Sequence, residues 1–187
     1  GVPGEDLPKV RYRYSEAHAY AGHKTLVVGA GSSAAEVALE LYRAGTEVTV
    51  AMREDRFQTK YWIEPDIENR IREGAIACHR NVSVVEIRPD DVILRGKDGR
   101  DIVVPNDFVL AMTGYEPDTT LLRATGAKVD DATKKPHLTD DFETSVPGVY
   151  VAGTLCAGCE SNTIFVENSR EHGARIMQHI AAKQSAQ

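Results

Sequence analysis

A glycine-rich turn between a predicted strand and a predicted helix limits the folds open to this chain more than any other segment. Residues 26–28 form a short apolar run, and the sequence Gly29-Ala30-Gly31-Ser32-Ser33-Ala34 follows at once. In this GxGxxA pattern the first glycine permits a tight turn, the second lets the backbone approach a pyrophosphate, and the alanine lets helix and strand pack closely. Free N–H groups at the start of the helix would then hold the phosphates. The predicted cofactor contacts are Gly29, Gly31, Ser32, Ser33 and Ala34; the alternative is a turn that binds nothing.

The sequence after this turn completes a βαβ pattern. Ala34, Val37, Ala38 and Leu41 recur at helical spacing and predict a buried helix face, and Gly45 would end that helix. Residues 47–52 then alternate as a second strand. We therefore predict an α/β fold with a Rossmann-like dinucleotide-binding domain in three layers.

The end of the second predicted strand bears on the choice of cofactor. An NAD site has a carboxylate there for the ribose 2′-hydroxyl, whereas an NADP site has cationic groups for the 2′-phosphate. Arg53 and Arg56 supply cations, and Arg53 could also stack on adenine. Glu54 lies between them and could serve the ribose instead. We expect NADPH as the cofactor.

The middle of the chain changes to a β pattern. A helix is expected within residues 60–71, where Pro65 suits a first turn and Ile67 and Ile71 share a face. Turn clusters at 89–91 and 96–99 separate short apolar runs, which predicts an inserted β-meander followed by a final apolar strand. The apolar runs are residues 75–78, 82–87, 92–95, 102–104 and 108–112.

The two ends of the chain have weaker patterns. Residues 9–23 are polar and aromatic without a period, and we expect a linker whose aromatic rings pack on the surface. The C-terminal part predicts a short helix at 119–124, a surface hairpin within 128–144, a buried strand at 149–154 and a helix at 163–182. That last helix would place Gly173, Ile176, Met177 and Ile180 on one face.

Composition narrows the partners. The net charge of −6 and the absence of a Lys/Arg-rich run argue against nucleic acid. No apolar stretch approaches the length of a membrane span, and three cysteines, which cannot all pair, favour a reducing cytoplasm. The chain has no initiator methionine and opens on the Pro- and Gly-containing connector Gly1-Val2-Pro3-Gly4-Glu5. We expect a piece of a longer protein.

Taken together, these segments resemble the flavin-dependent pyridine-nucleotide disulfide oxidoreductases of the thioredoxin-reductase type. The resemblance lies in the opening connector, the glycine loop, residues 111–118 and residues 144–153. Residues 60–71 and 164–168 are most similar to the bacillithiol-disulfide-reductase-like subgroup. The match extends over nearly the whole chain.

The resemblance implies a second dinucleotide domain. Residues 1–19 would be an interdomain connector, residues 20–115 the NADPH domain, and residues 116–187 the C-terminal part of an FAD domain. The family's FAD-binding glycine loop would precede this chain, so FAD would bind only with that missing part. Thr154 stands where the family often has an aspartate for the FAD hydroxyls. Further cofactor contacts would be Thr113, Gly114, Gly153, Thr154 and Phe165.

The cysteine pair Cys156 and Cys159 forms a CxxC in an unexpected place, because thioredoxin reductases carry theirs before the NADPH strand. A thiol near a helix N-terminus has a lowered pKa, and a neighbouring flavin would make the pair a candidate catalytic dithiol. Two ordinary loop thiols are the alternative. A zinc site with His172 and His179 fits the metal's usual spacing poorly, so these histidines are expected on the helix surface and no metal is expected.

The function predicted for the parent protein is hydride transfer from NADPH to FAD, with electrons passing to a small-molecule disulfide. A ferredoxin–NADP reductase of the thioredoxin-reductase type is the alternative enzyme, since it needs no cysteine pair. An isolated NADP(H)-binding module without turnover is the alternative outside catalysis. The sequence leaves the oligomeric state open, with a homodimer as one alternative.

Overall fold

The structure, a computed structural model, describes residues 1–114 and 116–185, except the side chains of residues 161 and 162. Tyr115, at the predicted domain boundary, lies outside the described residues. The chain divides into two compact units, Gly1–Gly114 and Tyr115–Gln187. Among the described residues, no helix has both the length and the apolar character needed to span a bilayer.

The first unit is built on a five-stranded parallel sheet. Its strands are β1 (Val10–Arg11), β2 (Lys24–Val28), β3 (Glu47–Ala51), β4 (Ala77–His79) and, after the strands of a second sheet, β8 (Phe108–Ala111). They lie side by side in the order β1-β8-β2-β3-β4. Two helices, α1 (Ser32–Arg43) and α2 (Glu64–Arg72), connect β2 to β3 and β3 to β4. The second sheet is the antiparallel meander of β5 (Val82–Ile87), β6 (Asp91–Gly96) and β7 (Asp101–Pro105).

The parallel sheet is covered on both faces, which explains the apolar run at residues 26–28 of β2. Val27 packs with residues of α1 and α2 in one buried cluster, whereas Leu26 packs with Val92 and Leu94 of the meander in another. Adjacent side chains of a strand point to opposite faces, so the two clusters lie on opposite sides of the sheet. The predicted α/β fold in three layers is therefore confirmed.

Residues 75–78 were expected with the meander, and this prediction is wrong. The strand that forms there, β4, pairs in parallel with β3, with Val50 opposite Cys78, and so belongs to the first sheet. Short apolar runs carry no information about their pairing partner. The other four predicted runs form β5, β6, β7 and β8, with ends that agree within a residue.

The N-terminal segment is more than a surface linker. Val10 pairs with Val109 in the parallel sheet, and Tyr20, at the end of the 3-10 helix Ala17–Tyr20, is buried. The Tyr20 ring meets the Phe108 ring edge to face, with centroids 5.0 Å apart. The aromatic surface packing predicted for this segment is wrong at Tyr20, because a two-residue strand and a single 3-10 turn leave no period in the sequence.

The second unit has little regular structure apart from α3 (Thr120–Ala124) and α4 (Val166–Ser185). Single antiparallel bridges join Val129 to Pro136 and Leu138 to Thr144 in the region of the predicted surface hairpin. The buried strand predicted at residues 149–154 does not form among the described residues, where Tyr150 makes a single bridge, to Glu143. The 3-10 segment Gly153–Thr163 follows and is interrupted by a kink at Gly158 and Glu160.

The last helix packs on a face that overlaps the predicted one only in part: Ile176 and Ile180 are half-buried, whereas Gly173 is exposed. His172 is buried, whereas Met177 is 64% exposed. His172 stacks on Phe142 with ring centroids 4.0 Å apart. The side chain of His179 is 23% exposed, and its Nδ1 lies 3.2 Å from the Tyr150 hydroxyl. The expectation of two surface histidines is therefore wrong, because stacking and hydrogen-bonding partners let both imidazoles turn toward the unit.

A buried carboxylate holds the end of α4. Glu143 accepts hydrogen bonds from the Gly148 amide at 2.8 Å and from the Lys183 ammonium at 2.6 Å. The Gly148 amide, followed by Lys183, lowers the pKa of Glu143, and Glu143 in turn raises the pKa of Lys183. The pair thus stays ionised at neutral pH and fixes α4 to residues 143–148.

Candidate functional site

The glycine loop lies between the end of β2 and the start of α1, as the sequence predicts. Gly29 has φ +142°, and a Cβ there would lie 2.2 Å from the Met112 carbonyl oxygen. Met112 follows β8, and its amide donates to the Val28 carbonyl at 2.8 Å. Gly29 is therefore required by close backbone packing between the ends of two strands.

Gly31 has a different environment. A Cβ added at this position would meet no atom within 4 Å, so packing among the described residues does not require glycine there. The open space lies at the N-cap of α1, where the backbone has φ −80° and ψ 177°. A missing side chain beside free space is what close approach of a ligand to the backbone requires.

The first turn of α1 presents donors at this space. Its first helical hydrogen bond runs from the Ala35 amide to the Gly31 carbonyl, so the amides of Ser32, Ser33 and Ala34 precede the regular ladder. Within this fully described helix, no acidic residue lies in the first turn and no side chain caps it. The helix dipole adds positive potential at the same point. This arrangement suits a phosphate or pyrophosphate.

A segment that the sequence did not single out covers one side of the loop. The Gln58 amide donates to the Ala30 carbonyl at 2.7 Å, and the Thr59 hydroxyl donates to the Ser32 hydroxyl oxygen at 3.1 Å. Neither residue belongs to a recognisable motif. Only the long-range bridge between Gly31 and Gln58 brings them to the loop.

Two arginines follow the end of β3. Arg53 and Arg56 are exposed, and neither forms an ion pair with any other residue in the described part of the chain. Glu54 is half-buried, and its carbonyl accepts from the Asn81 amide at 3.2 Å. The tip of β3 therefore carries two guanidinium groups free to pair with an anion.

Thr113 and Gly114 follow β8 at the same carboxyl edge of the parallel sheet as the glycine loop. Both are exposed, and Gly114 has φ +101°. The carboxyl ends of parallel strands form the ligand-binding crevice in doubly wound sheets, so Thr113 and Gly114 stay predicted cofactor contacts.

The predicted FAD contacts lie in the second unit. Gly153 has φ +76°, and its amide donates to Nδ1 of the buried His172 at 3.2 Å. Thr154 follows it and is exposed. Phe165 is 55% exposed just before α4, and its amide donates to the Asn168 side chain at 2.8 Å. Asn168 also donates to the Thr163 carbonyl and so fixes the backbone around Phe165.

The two thiols of the CxxC differ in exposure. Cys156 is buried, and its Sγ lies 3.4 Å from the Val151 carbonyl and 3.9 Å from His172 Nδ1. Cys159 is exposed, and both thiols are free. Burial raises the pKa of the Cys156 thiol, whereas proximity to a helix end was expected to lower it. The described residues contain no group of three or more metal-binding side chains.

The loop between these cysteines is closely packed. Gly158 has φ +59°, and a Cβ there would lie 2.3 Å from the Thr133 carbonyl oxygen. The same carbonyl accepts from the Cys159 amide at 2.8 Å. Gly158 is therefore explained by contact with the turn at Thr133.

A cavity beside the tip of β3 was not anticipated from the sequence. It has a volume of about 310 Å³, and its lining includes Arg53, Asn81, Ser83, Arg95 and Lys97. The last four residues belong to the meander and its connections. No sequence signal links them to Arg53, because they lie in separate strands and turns.

Comparison with known proteins identifies the family of this chain. Residues 1–153 match the family model described as pyridine nucleotide-disulphide oxidoreductase. The chain is 39% identical to bacilliredoxin reductase Bdr of Bacillus subtilis, over 99% of this chain and 58% of that protein. It is 31% identical to a ferredoxin–NADP reductase of Ignicoccus hospitalis, over 83% of this chain and 51% of that protein.

A solved structure agrees with the sequence comparison. The bacillithiol disulfide reductase Bdr from Bacillus cereus superposes with a TM-score of 0.93 at 39% identity, over 98% of this chain and 57% of that one. The chain thus spans less than two thirds of these relatives. The family match extends through both the glycine loop and Gly153. The chain therefore belongs to the pyridine nucleotide-disulphide oxidoreductase family.

Proposed function

We propose that this chain is part of an NADPH-dependent flavoprotein that reduces a small-molecule disulfide. Residues 20–115 would bind NADPH, residues 116–187 would contribute to an FAD domain, and residues 1–19 would connect the two domains of the complete protein. The bound cofactors supply a hydride donor and a flavin acceptor that passes electrons to the disulfide. The proposal that this chain binds a nucleotide is supported by one observation: the space beside the Gly31 backbone is empty, and the first amides of α1 adjoin it.

The residues of the first unit fit a dinucleotide. The amides of Ser32, Ser33 and Ala34 would hold the pyrophosphate, and Gly31 would leave it room. Arg53 and Arg56 would face the 2′-phosphate, which NADPH has and NADH lacks. Thr113 and Gly114 would lie along the cofactor farther across the crevice.

The second unit fits a flavin only in part. The exposed Thr154 and Phe165 are available to a ligand, and the Gly153 turn is fixed by its hydrogen bond to His172. Threonine at position 154 supplies a neutral hydroxyl where the family often has a carboxylate. We therefore assign Gly153, Thr154 and Phe165 to FAD, with the remaining contacts coming from outside this chain.

The substrate class follows from the relatives. The Bacillus cereus protein is named for bacillithiol disulfide, a small-molecule disulfide, and we transfer that class to the complete parent of this chain. Cys156 and Cys159 remain a predicted dithiol relay in this proposal. Burial of Cys156 opposes that role, because the thiolate is the nucleophile and burial disfavours it. We further propose a cytoplasmic protein, as the three free thiols favour.

A ferredoxin–NADP reductase is the second candidate. The Ignicoccus hospitalis relative carries that name, and such a reaction needs no thiol from the chain. The buried state of Cys156 is the structural observation that favours it.

The absorbance spectrum of the purified chain tests whether it holds flavin by itself. We expect a colourless protein that gains no yellow colour when FAD is added, because only part of the FAD site is assigned to these residues. The same chain should still bind NADPH. The contrary result is a purified chain that retains FAD and loses the flavin colour when NADPH is added. That result would contradict the proposal that part of the FAD site lies outside this chain.

A further inference from the structure

The cavity beside the tip of β3 combines cations and neutral donors with an apolar wall that includes Val85. Arg53, Arg95 and Lys97 bring three cations to it, Asn81 and Ser83 add neutral donors, and none of its described lining residues is acidic. Its volume of about 310 Å³ exceeds the roughly 30 Å³ that one water occupies in the liquid. A phosphate group therefore has room in it.

The three cations are not equally available. Arg95 is bound by Asp101 through two hydrogen bonds, of 2.7 and 2.9 Å, so its charge is largely neutralised. Lys97 donates to the side-chain oxygen of Asn81 at 2.6 Å, an uncharged partner that leaves the ammonium charge uncompensated. Arg53 has no ion pair among the described residues. Lys97 and Arg53 thus dominate the positive potential of the cavity.

Backbone hydrogen bonds connect this cavity to the glycine loop. The Gly29 amide donates to the Ala51 carbonyl at 3.0 Å, and the Val82 amide donates to the Met52 carbonyl at 3.0 Å. The Lys97 amide donates in turn to the Asn81 carbonyl at 3.2 Å. Each such step joins segments about 4.8 Å apart, so the backbone of Lys97 lies two steps, about 10 Å, from the extension of β3 that carries Arg53, with Asn81 between them. The long side chains of Lys97 and Arg53 both reach the cavity.

A dinucleotide held by its pyrophosphate at α1 extends its adenosine toward the tip of β3. We propose that Lys97 is a specificity residue that binds the 2′-phosphate of NADPH together with Arg53. The meander thus takes part in choosing NADPH over NADH, in addition to the arginines at the strand end. This inference rests on the proposed binding of NADPH at the glycine loop.

Binding of 2′,5′-ADP and 5′-ADP to the 187-residue chain, measured by titration calorimetry, tests the inference. Lys97→Met removes the charge and keeps the aliphatic stem. We expect it to weaken 2′,5′-ADP binding about tenfold and to change 5′-ADP binding by less than about twofold, because only the first ligand has a 2′-phosphate. Lys97→Arg, which keeps the positive charge, should retain most of the wild-type affinity for 2′,5′-ADP.

Arg100→Met is the matched control. Arg100 follows the same turn, its side chain is 86% exposed, it pairs with Asp98 at 3.2 Å, and it does not line the cavity. The substitution changes the net charge equally and should leave both affinities unchanged. Each variant is checked for an unaltered melting temperature.

The outcomes separate the inference from the proposed function. Suppose that the wild-type chain binds both ligands. If Lys97→Met then has no effect, or weakens both ligands equally, the role of Lys97 is overturned and the proposed nucleotide site is not. A wild-type chain that binds neither ligand would overturn the proposed nucleotide site and the inference with it.

Discussion

Replacing Gly31 with aspartate is expected to abolish NADPH binding while leaving the fold as stable as before or slightly more stable. The backbone at Gly31 has φ −80° and ψ 177°, which any residue can adopt, and its Cβ position is empty. Aspartate is also a better helix N-cap than glycine, by a few tenths of a kcal/mol. The new carboxylate, however, would occupy the space proposed for the pyrophosphate and repel it.

The expected loss is about 100-fold or more in NADPH affinity, which corresponds to about 2.7 kcal/mol. Calorimetry measures the affinity, and a melting curve measures stability. Gly31→Ala is the control that separates a bare Cβ from a charge, and it should weaken binding much less. An aspartate variant that binds NADPH as tightly as the wild type would contradict the proposed position of the pyrophosphate.

Replacing Gly29 with alanine is expected to have the opposite profile, a large loss of stability. The Cβ would lie 2.2 Å from the Met112 carbonyl oxygen, which is backbone and cannot rotate away, and φ is +142°. Relief requires separating the ends of β2 and β8. We expect a loss of about 3 kcal/mol or more in the free energy of unfolding, measured with urea.

Gly99→Ala is the matched control for that experiment. Gly99 also has positive φ, +80°, but a Cβ there would meet no atom within 4 Å. This variant should lose only the cost of the left-handed backbone, roughly 1–2 kcal/mol. Equal losses for the two alanine variants would show that the contact with Met112 does not constrain the loop.

The sequence predicts well those elements whose signals are local. The strand, turn and helix around Gly29 and Gly31 are recognisable because each needs particular residues at fixed spacing. The meander is recognisable by its turn clusters. By contrast, the parallel pairing of β4 with β3 depends on a long-range choice of neighbour, which a run of three residues does not encode.

Side-chain environments are the part that the sequence predicts least. His172 shares a side of its helix with the half-buried Ile176 and Ile180, and this polar side chain is buried there because Phe142 and the Gly153 amide provide its partners. Cys156 has the spacing of a reactive thiol, yet burial raises its pKa. Both outcomes depend on residues far along the chain, which spacing alone does not reveal.

The candidate nucleotide site also contains one residue that the sequence predicts and one that it does not. Arg53 could be predicted because it follows the end of a strand in a βαβ unit. Lys97 could not, because a lysine in a Gly-Lys-Asp-Gly turn is typical of any solvated hairpin. Only the packing of the meander beside β3 brings the two cations to one cavity.

Nucleotide binding by the wild-type chain tests together whether the glycine loop holds NADPH and whether the chain recognises the 2′-phosphate. The most direct measurement is the dissociation constant of the wild-type chain for NADPH and for NADH, by calorimetry in the same buffer. We predict that NADPH binds about tenfold more tightly or better, because Arg53 and its neighbours contact a group that NADH lacks. Equal affinity for the two cofactors would contradict recognition of the 2′-phosphate, and no binding of either would contradict a nucleotide site at the glycine loop.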